Sequence, residues 1–432
     1  MTNGPQHQPS MTNLSRSRAI DRDGLAGATR PAGRYRWVVL GVATFTQAAS
    51  GFFVQGIGAM SVHLERDLGL STTQLGLLLS ASQLIPLIGL LVAGELLDRY
   101  NERWVVGVGA GIVAVSLLAG SAVPGYAGLL LVLLLVGAGY STVQPGGSKS
   151  VASWFETSQR GLAMGVRQAG VPLGGVVAAA ALPLLAGAAG WRATLVAGGL
   201  VALLGAIAFM GLYRRPPIAT LIPPAAPPPP PAAPAPPSPF RERLRMLREP
   251  SMVRSLVSGT SLVSVHSGIG VLAVLHLHEA ASVRAEQAAL VLVAAQAAGV
   301  AGRVFLAAWS DRVRSGRYTS VLICLAAVTV AMAALMTPAG RSPLAACLLL
   351  VWLGFFGIGW YGPWVAYVAE SAPPGRTGFA LGLAMAVTQI AIVLVPTVLG
   401  LLKDLTHSFV PAWGLLTAMT AVALAVTARR RR

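Results

Sequence analysis

Twelve apolar runs of about 20 residues each decide what this chain can become. They lie near 37–59, 74–97, 104–122, 128–150, 162–186, 194–212, 254–276, 287–308, 319–337, 343–368, 379–402 and 410–428. A run of that length crosses a hydrocarbon core of about 30 Å as a helix, and in lipid its backbone groups must be satisfied within the segment. The sequence therefore predicts an all-α membrane protein with twelve transmembrane helices. Composition agrees: hydrophobic residues make up 54% and charged ones 11%, against about 25% charged in soluble domains.

The formal net charge of +17 raises the question of a nucleic-acid partner. Sorting the 32 basic residues by side of the membrane answers it. With the N-terminus inside, 24 fall in cytoplasmic segments, five outside (Arg66, Arg192, Arg284, Arg341, Lys403) and three within spans (Lys149, Arg167, Arg303). That asymmetry is the positive-inside pattern, so the charge reports topology and no nucleic-acid partner is expected. The reading places the chain in the cell membrane as a multi-pass protein with both termini cytoplasmic. The first 33 residues carry no apolar h-region and do not resemble a signal peptide.

A proline-dense tract, Pro216 to Pro239, divides the runs six and six. Proline lacks the N–H that a helix needs, so the tract is expected to be a solvated polyproline II spacer. The expected organisation is a polar tail over 1–36, a six-helix half over 37–213 and a linker with a short basic helix over 214–253. A second six-helix half over 254–428 and a basic tail over 429–432 complete it. Three sequence matches relate the halves. Asp98-Arg99 after the second run returns as Asp311-Arg312 after the eighth, and Gly137-Ala138-Gly139-Tyr140 returns as Gly357-Ile358-Gly359-Trp360. Arg160 to Gly165 (RGLAMG) echoes Arg376 to Gly382 (RTGFALG). Matches in register imply a duplication, hence two pseudo-symmetric six-helix halves.

The second run ends Gly94-Glu95-Leu96-Leu97-Asp98-Arg99-Tyr100-Asn101-Glu102-Arg103. Asp98 can face the positive N-terminal end of a neighbouring helix, and the arginines can bridge to other helices or lipid phosphates. This stretch resembles the loop between the second and third helices of the major facilitator superfamily. It departs from that pattern at Asn101, where glycine is usual, and at Glu102, where a base is usual. Asparagine tolerates a left-handed turn, whereas Glu102 leaves its ionic partner open. Trp154-Phe155, the basic loop at Arg160 and Gly170-Val171-Pro172-Leu173-Gly174-Gly175 resemble the monocarboxylate and oxalate–formate branch, and in part the antiporter motif of drug exporters. Those glycines equally suit plain helix packing and bending.

Ionisable residues at membrane depth are the candidates for transport, because a charge in lipid costs several kcal/mol unless a cavity or partner receives it. Arg303 lies eight residues before Asp311, about 12 Å into its helix. The resemblance to the monocarboxylate branch implies a substrate-anion ligand there; a brace between helices is the plainer role. Arg167, followed by Gln168, is a second ligand or a brace, and Lys149 a third basic candidate that can also snorkel to the interface. Tyr140, Trp360, Tyr361 and Trp364 are candidates to line the cavity. His266 is the histidine well inside the bilayer, a packing residue or a proton-coupling group. Gly94, Asp98, Arg99, Arg103, Asp311, Arg312 and Glu370 form the gating set, with Glu95 and Glu370 expected to pair with arginines across helices.

No acidic residue falls at mid-membrane, no cluster has metal-ligand spacing, and no nucleotide loop is present. Neither enzyme chemistry, a cofactor nor a metal is expected. The resemblance implies a monomeric secondary transporter working by alternating access, taking a small organic anion such as a monocarboxylate, with a proton as a further partner. A proton-coupled drug antiporter is the alternative transport reading, and a receptor or scaffold on the same fold the alternative of another class.

Overall fold

Helices account for nearly all of the residues that the computed structural model describes, namely 11–217, 246–312 and 316–428. Most of the proline tract lies outside the described residues, as do the extreme ends of the two tails. The helices are α1 (Met11–Gly56), α2 (Ser61–Leu68), α3 (Thr72–Leu84), α4 (Pro86–Arg99), α5 (Glu102–Gly120), α6 (Gly125–Trp154) and α7 (Thr157–Leu212) before the tract. After it come α8 (Pro250–Glu279), α9 (Ala285–Ser310), α10 (Tyr318–Leu335), α11 (Pro343–Gly359), α12 (Tyr361–Ser371), α13 (Thr377–Thr406) and α14 (Val410–Ala428).

Eleven helical stretches are long and apolar enough to cross a membrane. One of them, α7, has 56 residues, about 84 Å of helix at 1.5 Å per residue, far more than one crossing needs. It turns at Gly190, whose φ of 79° suits a residue without a side chain, and so crosses twice. Twelve crossings result. Large apolar side chains face outward around the bundle: Ile88, Leu184, Val330 and Leu344 are each about 70% exposed or more, the inverse of a water-soluble surface.

Two spans are broken at mid-depth. The second is α3 and α4 joined at Ile85–Pro86, and the tenth is α11 and α12 joined at Trp360, three residues before Pro363. α3 opens with a reciprocal cap: Gln74 N–H donates to Ser71 Oγ at 3.2 Å, and Ser71 N–H to Gln74 Oε1 at 2.9 Å. At the turn before α5 the expectation of a left-handed asparagine is corrected. Asn101 is extended (φ −70°, ψ 130°) and caps α5 by accepting from Arg103 N–H at 3.0 Å.

The halves meet along two seams, α4 with α13 and α7 with α9. Glycine permits both. A Cβ on Gly94 would sit 2.8 Å from Gly378 O and 3.0 Å from Phe379 Cα, and one on Gly165 of α7 would collide with Arg303 O and sit 2.8 Å from Ala307 Cβ of α9. In lipid, where burial of apolar surface does not drive helices together, such close backbone approach is what packing rests on. α13 packs along α4 but hardly along α3, so the halves are apposed at the Asp98 end and diverge toward the other.

Candidate functional site

At the apposed end two carboxylates join the halves in matching fashion. Asp98, closing α4, accepts from Gly378 N–H and Phe379 N–H in the first turn of α13, both at 2.8 Å. Asp311, closing α9, accepts from Gly161 N–H and Leu162 N–H early in α7, also both at 2.8 Å. Gly378 and Phe379 carry N–H groups that a helix start leaves without partners, where the helix dipole favours negative charge, while Gly161 and Leu162 are the fifth and sixth residues of α7. Cations surround the two carboxylates. Arg317 donates to Asp311 at 2.7 Å, to Glu370 at 2.9 Å and to Thr157 O at 2.6 Å, while Arg160 lies 3.6 Å from Glu370. Glu370 therefore does pair with arginines, one of them across the seam. Glu95 and Arg99 bond one turn apart in the same helix, Arg103 donates to Met210 O, and Arg312 is exposed.

Lys149 belongs to this end and not to the cavity. Its Nζ donates to Leu97 O and lies 3.4 Å from Asp98 and 3.2 Å from Glu102. The long side chain carries the ammonium from near the end of α6 to the carboxylates. With Arg215 at 3.3 Å it also supplies the partners of Glu102 that the sequence left open.

Beyond the seams a cavity of about 330 Å³ opens between the halves. Arg303, Tyr140, Tyr361 and His266 line it, as the sequence suggested. Arg303 is 5% exposed. Its Nε donates to Ile358 O at 3.2 Å and its Nη1 to Gln168 O at 2.7 Å, with the guanidinium carbon 5.7 Å from the Tyr361 ring centre. The break at Trp360 makes the first bond possible: the last carbonyls of α11 lack partners in their own helix, and Arg303 takes one of them. The second bond crosses from α9 to α7, hence between halves. Guanidinium carries five N–H groups, so three remain uncommitted among the described residues.

Arg167, Gln168 and Trp360 do not reach the cavity in this conformation. Arg167 is fully buried: Nη1 donates to Ser148 Oγ at 2.9 Å, and Nη2 to Val143 O at 3.0 Å and Gln144 O at 2.8 Å. This is the brace role, α7 holding carbonyls of α6. Gln168 is tied to Gln47 (3.3 Å) and Ser148 (3.5 Å), and only its carbonyl serves Arg303. Trp360 and Trp364 are fully buried and packed edge to face, 5.3 Å apart.

The sequence reading missed the glutamines. Gln55, Gln83, Gln144, Gln296 and Gln389 line the cavity from both halves, beside Thr388 and Ser267. Gln389 Nε2 donates across the seam to Gln83 Oε1 at 3.0 Å and Gln83 O at 3.1 Å, one turn from the Pro86 break. The side chains of Gln55, Gln144 and Gln296 have no hydrogen bond among the described residues. Amides standing inside apolar runs were the available signal.

A family model described as Major Facilitator Superfamily matches residues 43–396, most of both halves. The chain belongs to the Major Facilitator Superfamily. Within that superfamily it is 27% identical over 383 residues to an uncharacterized MFS-type transporter of Mycobacterium tuberculosis, covering 88% of this chain and 82% of the relative. It is 30% identical over 158 residues to the probable L-galactonate transporter of Escherichia coli, 37% of this chain and 35% of that one. The E. coli fucose:proton symporter FucP superposes with a TM-score of 0.66 at 16% identity, over 89% of this chain and 97% of that one, a likeness of fold. As a superfamily member the chain is a multi-pass membrane transporter. Its relatives do not single out the monocarboxylate and oxalate–formate branch.

Proposed function

We propose that this chain carries a small hydroxylated carboxylate, of the sugar-acid kind, by alternating access. One observation carries the reading: the cavity wall combines a single cation, Arg303, with three uncommitted glutamine amides and no carboxylate. A guanidinium offers a carboxylate two parallel hydrogen bonds and keeps its charge at any working pH. Amides both donate and accept, which is what a row of hydroxyls requires. The volume sits at the lower end for ligand pockets, which run from about 300 to 1,000 Å³, and suits a sugar-sized molecule better than a drug. The relative named a probable L-galactonate transporter supports the substrate class. With the Asp98 end cytoplasmic, as the basic residues suggest, this conformation faces outward.

The test is calorimetric titration of purified protein with L-galactonate, lactate, neutral fucose and a lipophilic cation. L-galactonate is expected to bind tightest, and Arg303→Lys to weaken it by about 1–3 kcal/mol through loss of the planar fork. Preference for fucose or the cation, or an unweakened Arg303→Lys, would remove the reading.

A further inference from the structure

We infer that the basic, aromatic rim where α1 meets the exit of α7 binds the phosphate headgroup of an anionic phospholipid in the cytoplasmic leaflet. The site is independent of the chamber that receives substrate. It lies at the Asp98 end of the first half: Arg215, next to Arg214, reaches Glu102 at the start of α5 at 3.3 Å. Two consecutive arginine–aromatic pairs of α1, Arg34-Tyr35 and Arg36-Trp37, make one wall. Trp154 and Phe155 at the end of α6 and Arg214 just beyond α7 make the other.

These side chains form a layered stack. The Arg214 guanidinium carbon sits 5.4 Å from the centre of the Tyr35 ring, and that ring lies 5.6 Å from Trp154. Arg36 stands 5.5 Å from the Phe155 ring and 5.6 Å from Trp37, two rings that meet edge to face at 5.3 Å. Two hydrogen bonds fasten the layers where the sixth crossing ends: Trp154 Nε1 donates to Arg214 O at 2.8 Å, and Tyr35 Oη donates to Leu212 O. The rings thereby hold the guanidiniums in place without using their N–H groups.

What the stack lacks is an acceptor. The side chains of Arg34, Arg36 and Arg214 make no hydrogen bond or ion pair among the described residues, and Arg36 Nε is buried without a partner. Glu156, which follows Phe155, pairs with none of them. Neighbouring cations of the same half are committed, Arg99 to Glu95, Arg103 to Met210 O and Arg215 to Glu102. Trp37 opens the first apolar run and Trp154 closes the fourth helix, so the three free guanidiniums stand at the level of the headgroups. On the outer face of α1 below them, Trp37, Val38 and Phe45 are 48%, 41% and 45% exposed, an apolar strip for acyl chains. A lipid phosphate supplies the acceptors that the protein withholds. A zwitterionic headgroup would bring its own ammonium against three arginines, so the rim selects lipids of net negative charge. Bound there, the lipid would clip α1, α6 and the start of the tether into one unit.

Native mass spectrometry of the purified full chain, titrated in detergent with phosphatidylglycerol and with phosphatidylcholine, tests the assignment. Phosphatidylglycerol is expected to be retained in preference to phosphatidylcholine. Arg36→Gln combined with Arg214→Gln is expected to weaken its binding about 30-fold, equal to about 2 kcal/mol at about 1 kcal/mol per arginine near an anionic headgroup. Arg248→Gln, which removes an exposed arginine of the other half at the same end, is expected to bind as wild type does. Equal retention of the two lipids, an unweakened double variant, or an equal loss in Arg248→Gln would overturn the inference. Inorganic phosphate is expected to leave the bound lipid in place; displacement would make this a site for free phosphate and sink the lipid assignment. A second measurement uses the wild-type chain alone and so survives a double variant that does not fold. In vesicles, phosphatidylglycerol with a photoreactive headgroup is expected to label Arg34 to Trp37, Trp154, Phe155 and Arg214. Labelling confined to other stretches would equally overturn the inference.

Discussion

Replacing Asp311 by asparagine tests whether the paired carboxylates hold the apposed end shut. The carboxylate accepts from Gly161 N–H and Leu162 N–H at 2.8 Å and from Arg317 at 2.7 Å. An amide can accept from one backbone N–H but must turn its own NH2 against the other, and it loses its charge to Arg317. Hydrogen bonds to a charged group contribute about 1.5–3 kcal/mol each. The Asp311 side chain is 6% exposed, so solvent screening is slight. Loss of one bond and weakening of the second together cost roughly 2–4 kcal/mol, nearly all of it on the side of the closed end, since both bonds cross between halves. At 1.36 kcal/mol per tenfold, the ratio of closed to open should fall by roughly 30- to 1,000-fold. Spin labels at Ser158 and Pro374, both exposed at that end on opposite halves, would show a new long-distance population. Asp98→Asn should act alike. An unchanged distance distribution in both variants, with unchanged melting temperature, would refute the gating role of the two caps.

Three further outcomes are expected. Gly94→Leu drives a side chain into Gly378 O and Phe379 Cα, so transport should drop at least tenfold while membrane insertion stays normal, read by uptake and surface labelling. Gln144→Ala together with Gln296→Ala should weaken a sugar acid by about 1–3 kcal/mol, by loss of hydroxyl partners, and leave a short unsubstituted carboxylate nearly unaffected; equal losses for both ligands would count against hydroxyl recognition. His266→Gln should leave the pH profile of uptake unaltered, since Arg303 in the same wall opposes a second positive charge on the imidazole, and a lost pH dependence would make His266 the proton-coupling group.

How much of this the sequence disclosed depended on the energy at stake in each residue. A charge within an apolar run is costly enough to stand out, so Arg303 was legible as a functional candidate before any geometry was known. A glutamine in the same setting costs less and passes among Ser and Thr, and the five that line the cavity went unread. Lys149 shows the limit of depth counted along a helix: its Cα lies within the span, but four methylenes deliver the ammonium to Asp98 and Glu102. The duplication was visible as matching words, RGLAMG and RTGFALG. That these are the acceptors' partners, with each backbone bonding the aspartate of the other half, is a matter of tertiary pairing that no spacing along one chain encodes. The breaks at Pro86 and Trp360 have a local cause in Pro86 and Pro363, yet their value, freeing a carbonyl for Arg303, appears only when α9 is laid against α11.

The crossed aspartate caps carry one more consequence. Each half holds both members of the contact, a carboxylate at the end of one helix and a pair of backbone N–H groups near the start of another. The surface is therefore complementary to itself, the property that defines a two-fold interface between identical subunits. A single six-helix half, paired with a second copy of itself in the same orientation, would already make both bonds. The tether and the later divergence of the halves then altered the chamber, placing Arg303 on one side only, while the closing surface kept the geometry of a symmetric pair. A lesion in one cap leaves its twin in place, so the end should open lopsidedly rather than all at once.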